Sequence, residues 1–187
     1  MQREQALEIL QKYVKNDFYI QHSKAVEAIM KALAKQLDPD NIELWGIAGL
    51  LHDLDEECCD WQHDMRLHGP KSVELLRKEN FGNETLYHAI LAHNPQNGYQ
   101  AKTNIEYALL ASDPMSGFIM AIAKGYPDKK LKSVKVSSIL KRFKEERYAR
   151  GASRPYMQQI TKTGIDLETF ATLALEALCE IDTILER

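Results

Sequence analysis

Residues 42–51 read Ile-Glu-Leu-Trp-Gly-Ile-Ala-Gly-Leu-Leu and run directly into His52-Asp53. Wound as a helix, this stretch is apolar on nearly every face, so other elements have to cover it from all sides. It also carries an imidazole and a carboxylate into the interior at its end. Burying both is costly unless they are hydrogen-bonded or compensated by positive charge, such as a metal ion. A chain built round such a segment is a bundle of helices.

The rest of the sequence agrees with an all-α class. Helical periodicity runs throughout, and no alternating β-branched run is long enough to argue for a sheet. A first helix is expected over about Arg3–Val14. A second begins near Ile20 and places His22, Val26, Ile29, Met30, Leu33 and Leu37 on one inward stripe. Asp38-Pro39-Asp40 stops that helix, and Asp40 is the expected cap of the next. Gly46 and Gly49 each cost about 1 kcal/mol of helix propensity against Ala, which close approach by a neighbouring helix would justify. Leu54–Arg66 reads as an acidic loop. Helices follow from Gly69-Pro70, over Glu84–His93 and over Asn104–Ala123, then near Val136–Ala149, Pro155–Thr161 and Leu167–Leu185. Pro114 is expected to kink the Asn104–Ala123 helix beside Asp113, and Gly117 to admit a helix or substrate. With no repeat or long linker, the economical reading is one helical domain over 1–187. Its motif-bearing core covers about 20–120, and helices over 131–187 complete it. The last helix, with Leu167, Phe170, Leu173, Leu175, Leu178 and Ile181, either closes the core or pairs with a second copy as a homo-oligomer.

Composition narrows the partners. A net charge of −3 gives no reason to expect specific nucleic-acid binding. No apolar run approaches the ~20 residues of a membrane span, and MQREQALEIL lacks the plan of a secretory signal. Cys58, Cys59 and Cys179 form no CxxC spacing and read as free thiols, so a reducing, cytoplasmic location is expected. The charge is unevenly spread: Asp38–Asp64 holds nine acids and no Lys or Arg, whereas Lys129–Arg154 is dominated by bases. Cation binding at the first and phosphate binding at the second is one reading, and two solvated faces is the other.

Two further residues share the inward placement of His52-Asp53. His22 heads an apolar stripe, and Asp113 sits on another with Ile105, Ala108 and Leu109. Two imidazoles and two carboxylates suit a divalent ion that also binds water: Mn, Fe, Co, Ni, Zn or Mg. Spacing alone leaves open a hydrogen-bonded His–Asp pair with His22 and Asp113 unrelated to it.

The stretches HSKAVEAIMKALA, IAGLLHDLDEE and YALLASDPMSG, in that order, resemble the ligand-bearing helices of the HD-domain superfamily of metal-dependent phosphohydrolases. The resemblance covers about residues 20–120. It implies a helical bundle of HD-domain type in which His22, His52, Asp53 and Asp113 hold a first ion. LHGPKS and AILAHN are similar to the segments that supply a second site in some members, notably HD-type hydrolases of diadenosine tetraphosphate. This implies that His68 and His93 bind a second ion, with Asp53 bridging the two. His63 and His88 are set aside: one lies in the acidic loop, and the other is about 140° round its helix from His93.

The expected activity is hydrolysis of a phosphate ester or anhydride of a nucleotide or other small phosphorylated metabolite, with Asp53 and Glu56 as catalytic residues. Glu56 would act as general acid or orient the attacking water. Lys24, close to His22 in sequence, is a candidate contact for substrate phosphate, and so are Arg142, Lys144 and Arg147 if the helix near 136–149 closes over the mouth. The resemblance also admits a di-iron oxygenase, and a non-catalytic module that binds a nucleotide or a protein.

Overall fold

The computed structural model describes residues 1–185, with side chains as far as Ile181; Glu186 and Arg187, counted in the expected domain, lie outside the described residues. Among the described residues nine α-helices follow one another: α1 (Arg3–Tyr13), α2 (Asp17–Leu37), α3 (Ile42–Leu51), α4 (Pro70–Lys78), α5 (Glu84–Ala92), α6 (Asn104–Lys124), α7 (Val136–Phe143), α8 (Arg154–Gln158) and α9 (Leu167–Leu185). Short 3₁₀ turns link several of them, and the described residues form no strand. The all-α expectation holds.

α3 is the axis. Every residue from Trp45 to Leu51 is buried, and α1, α2, α5 and α6 pack around it. α2 supplies the broadest cover through Val26, Ile29, Met30 and Leu33, each wholly removed from solvent. Full burial of such a side chain contributes about 1.5–3 kcal/mol. From the other side α9 lies on α2, α6 and α7. Its Phe170, Ala174 and Leu178 are covered within the chain, so this face closes the core. None of the described helices is long and apolar enough to cross a membrane.

Local boundaries follow their caps, and these correct several sequence expectations. α2 starts at Asp17, ahead of Ile20, because the Asn16 side chain accepts from the Phe18 amide at 2.9 Å. Asp38, not Asp40, organises the entry to α3: it accepts from the Asn41 amide group at 2.8 Å and from the Trp45 indole at 3.0 Å. Asn83 caps α5 through the Leu86 amide at 2.9 Å, and Asn94-Pro95 ends that helix as its sequence suggests. α6 continues as one helix through Pro114, and Gly117 faces open space rather than a neighbour. α7 stops at Phe143, short of Ala149. There Arg154 gathers the carbonyls of Ala149 and Ala152, both at 2.8 Å, and lies over the Phe118 ring.

The crossing of α2 over α3 explains one glycine fully. A Cβ at Gly49 would stand 2.8 Å from the backbone of Val26 and Glu27, which cannot withdraw without parting the helices. A Cβ at Gly46 would meet only the Lys31 side chain, which can swing away. Gly49→Ala is therefore expected to destabilise by about 1–3 kcal/mol, as overpacking does. Gly46→Ala should be close to neutral once its gain in helix propensity is set against displacement of Lys31. Chemical denaturation of the two variants against the parent checks both.

Candidate metal centre

Five segments bring their polar side chains to one place. His22 comes from the second turn of α2, His52 and Asp53 from the end of α3, and His68 from the turn before α4. His93 ends α5, and Asp113 lies midway along α6. Ligand atoms of His22, His52, Asp53 and Asp113 all lie within 4.8 Å of one another, and so do those of Asp53, His68 and His93. Asp53 belongs to both groups. Its Oδ2 is 3.4 Å from His22 Nε2, and its Oδ1 lies 3.1, 3.4 and 3.5 Å from Nε2 of His52, His68 and His93. Asp113 Oδ1 is 3.2 Å from His22 Nε2 and 3.8 Å from His52 Nε2.

These spacings are those of a coordination shell. Bonds of about 2.1 Å set neighbouring ligand atoms about 3.0 Å apart in an octahedron and about 3.4 Å apart in a tetrahedron. The imidazoles are also oriented for it. His52 Nδ1 donates to the Gly49 carbonyl at 2.8 Å, and His93 Nδ1 donates to that of Ile90. His68 Nδ1 meets Asp55 Oδ1 at 2.8 Å, and His22 Nδ1 meets Ser116 Oγ at 3.2 Å. Each ring thus spends its Nδ1 outward and turns Nε2 inward, as second partners fix metal-binding histidines. His52 Nε2 is fully buried without a hydrogen-bond partner. An orphaned acceptor of that kind, aimed at two carboxylates, fits a cation.

The electrostatics say the same. Burial pushes the His22, His52 and His68 imidazoles down, but the facing carboxylates overcome it. Asp113 and Asp53 lift His22 to about 9, and Asp53 with Asp113 lifts His52 to about 10. Asp53 and Asp55 lift His68 to about 11. Conversely burial pushes Asp53 up, yet the charge of His52 holds it well below the usual range. Asp113 is likewise held low, by the His22 and His52 imidazoles that face it. Protons therefore stand in for a cation among these groups.

Asp55 belongs to the stretch Leu54–Arg66 that reads from sequence as an acidic loop. It is instead fully buried. Besides His68, it accepts from the amides of Gly69 at 2.7 Å and Ser72 at 3.1 Å. Gly69, at φ +95°, adopts a backbone that a side chain would strain, and so turns its amide onto that carboxylate. Asn94 completes the mounting by donating to the His68 carbonyl at 3.0 Å. Ser116 and Asn94 carried no signal in the sequence, because their partners lie far away in the chain.

Glu56 stands beside the centre, half-buried, with Oε2 covered and unpartnered. Burial, then the charge of Asp53, pushes its carboxyl up to about 7. His63 is exposed and bound to Asp60, and His88 is exposed near Glu84, so both stay outside. The four expected phosphate contacts are not brought here. Lys24 faces a groove with Arg3, Glu27 and Lys31 between α2 and α9. Arg142 is bound to Glu145 at 2.6 Å and lies over Tyr148, near Ile122 and Gly125 at the far end of α6. Lys144 and Arg147 are exposed. α7, with Ile139 and Phe143 buried, packs on α6 and α9.

Coordination needs neutral imidazoles, so an ion entering this centre has to displace the protons held there. These imidazoles stay protonated until pH passes about 9–11. Apparent affinity for Mn or Zn should consequently climb with pH up to that range. At pH 7.5 at least one proton should leave per ion bound. Titration calorimetry in buffers of different ionisation enthalpy reads that number directly, and a buffer-independent heat would contradict it.

Curated proteins and solved structures returned no match to the chain. The family model described as HD domain matches residues 19–113, just over half the length, beginning shortly before His22 and ending on Asp113. With a His/Asp cluster able to hold a divalent ion at the centre of that span, this chain belongs to the HD-domain family.

Proposed function

We propose that the chain is a two-metal phosphohydrolase that cleaves a phosphate ester or anhydride of a small anionic metabolite. The observation that carries this reading is Asp53, which belongs to two ligand groups at once: one with His22, His52 and Asp113, the other with His68 and His93. His22, His52, Asp53 and Asp113 would hold one ion, and Asp53, His68 and His93 the other. Divalent ions in those positions would bring the pKa of a coordinated water near neutrality and offset charge on phosphoryl oxygens.

The chain's own groups supply the rest. Asp55 holds the ring of His68 in place, and Ser116 holds that of His22 while donating to the Asp113 carbonyl at 2.9 Å. Glu56, with its pKa lifted to about 7, retains a proton near neutral pH. That proton can pass to the departing oxygen, which is the task of a general acid. Asp53, held low, stays ionised and keeps its oxygens available. The donor set also suits a di-iron oxygenase, and ligand binding without turnover would mark a non-catalytic module. Metal-dependent phosphate release without oxygen uptake separates the proposal from both.

Purified protein loaded with Mn, Co, Ni, Fe or Mg should release phosphate from at least one member of a broad phosphoester panel. Silence across the panel with every ion ends the proposal. Glu56→Gln should lower kcat by about 10²–10⁴-fold, the usual worth of a positioned acid. A general acid must be protonated, so activity should fall as pH rises through about 7. Cations beside Asp53 cancel part of its repulsion and move that limb somewhat lower. The limb should vanish in Glu56→Gln. Asp55→Asn should weaken the ion at His68 by about 10–100-fold. Metal analysis should then find close to one ion per chain where the parent holds two.

A further inference from the structure

Among the described residues, no Lys or Arg pairs with the carboxylates of the centre: those of Asp53 and Asp113 meet only histidines within 4 Å. The basic residues flanking His68 in sequence are turned away: Arg66 is bound to Asp64 at 2.8 Å, and Lys71 to Glu74 at 2.6 Å. What borders the centre is acidic and aromatic. The segment after Asp53 sets the half-buried Glu56 beside it. A triphosphate or dinucleotide polyphosphate would lay its extra charges near that carboxylate with no Lys or Arg pairing with the centre to receive them.

Trp61 occupies the next position outward from His68. The two ring centroids are 6.2 Å apart, with planes inclined by 46°. The indole N–H donates to the Glu56 carbonyl at 3.2 Å, so the ring is fixed to the backbone of the acid proposed for catalysis. Trp61 nevertheless remains half-exposed, unlike Trp45, which is 1% exposed in the core. Across α2, Tyr19 lies one turn before His22 and so shares its face. The Glu56 carboxylate, ahead of burial, raises the Tyr19 phenol. Two aromatic side chains thus border a centre whose carboxylates pair with no Lys or Arg.

We infer that Trp61 is a stacking surface for a flat, uncharged group, and that the substrate is a phosphomonoester of a nucleoside or other aromatic alcohol. The inference rests on the phosphohydrolase reading for the phosphate and on Trp61 for the rest of the molecule. Stacking on an aromatic side chain contributes about 1–3 kcal/mol per base, which corresponds to about ten- to hundredfold in binding.

Trp61→Phe and Trp61→Leu both lose the bond to Glu56, so comparing them isolates the aromatic face. With Mg-loaded protein, Trp61→Leu should raise KM for adenosine 5′-monophosphate or phenyl phosphate by about tenfold or more. The KM for glycerol phosphate should be the same in the two variants, and Trp61→Phe should recover most of the loss on the aromatic esters. The adenosine and phenyl esters distinguish a nucleoside from a simple aryl group. Binding is read separately. Trp61 and Trp45 are the two tryptophans, so quenching by the aromatic esters should appear in the parent and vanish in Trp61→Phe. Quenching with no turnover of any phosphomonoester would support the stacking surface while removing the hydrolase reading. Turnover with no preference for aromatic over glycerol phosphate, or equal KM losses in both variants on every ester, would overturn the inference.

Discussion

One carboxylate holds this molecule's polar interior together. Asp53 is buried at the end of a helix with almost no polar surroundings of its own, and the Nε2 atoms of four histidines lie within 3.5 Å of its oxygens. An isolated ionised carboxylate at such a depth would be intolerable. It is tolerable because α2, the turn before α4, and the ends of α3 and α5 each contribute an imidazole, which constrains how those elements can meet. The apolar packing around α3 and the polar cluster at its end are therefore one constraint seen from two sides.

That constraint explains which parts of the molecule were legible in the sequence. An all-round apolar helix can only be central, so the place of α3 followed from residues 42–51 alone. The inward directions of His22 and Asp113 followed from helical stripes that α2 and α6 reproduce. The assembly of His68 and His93 with Asp53 did not follow from periodicity, since each sits at a helix end where no stripe exists. Family resemblance supplied that pairing, and the coordinates bring the three together.

What remained hidden had physical reasons. Asp55 opens a run of three consecutive acids, and nothing local distinguishes a buried one from its solvated neighbours. Its environment comes from Gly69 and Ser72, which are 14 and 17 residues away. The basic segment misled for a related reason. A run of Lys and Arg is read as a surface seeking anions, but Arg154 was engaged by main-chain carbonyls and Arg142 by Glu145 and Tyr148. Cationic side chains have many internal uses, and sequence does not separate them from ligand contacts.

His52 and His93 have a second role that follows from their outward hydrogen bonds. Each donates to the carbonyl three residues earlier, at the last turn of α3 and of α5. Those carbonyls belong to the set that a helix end leaves without a partner. The same rings that face inward thus also finish their own helices. Unwinding either terminus by a single turn would swing a donor nitrogen out of the cluster, so escape of a captured cation and fraying of the helix become one event. Residence time at this centre would then be governed by secondary structure, with the two helix ends serving as its latch.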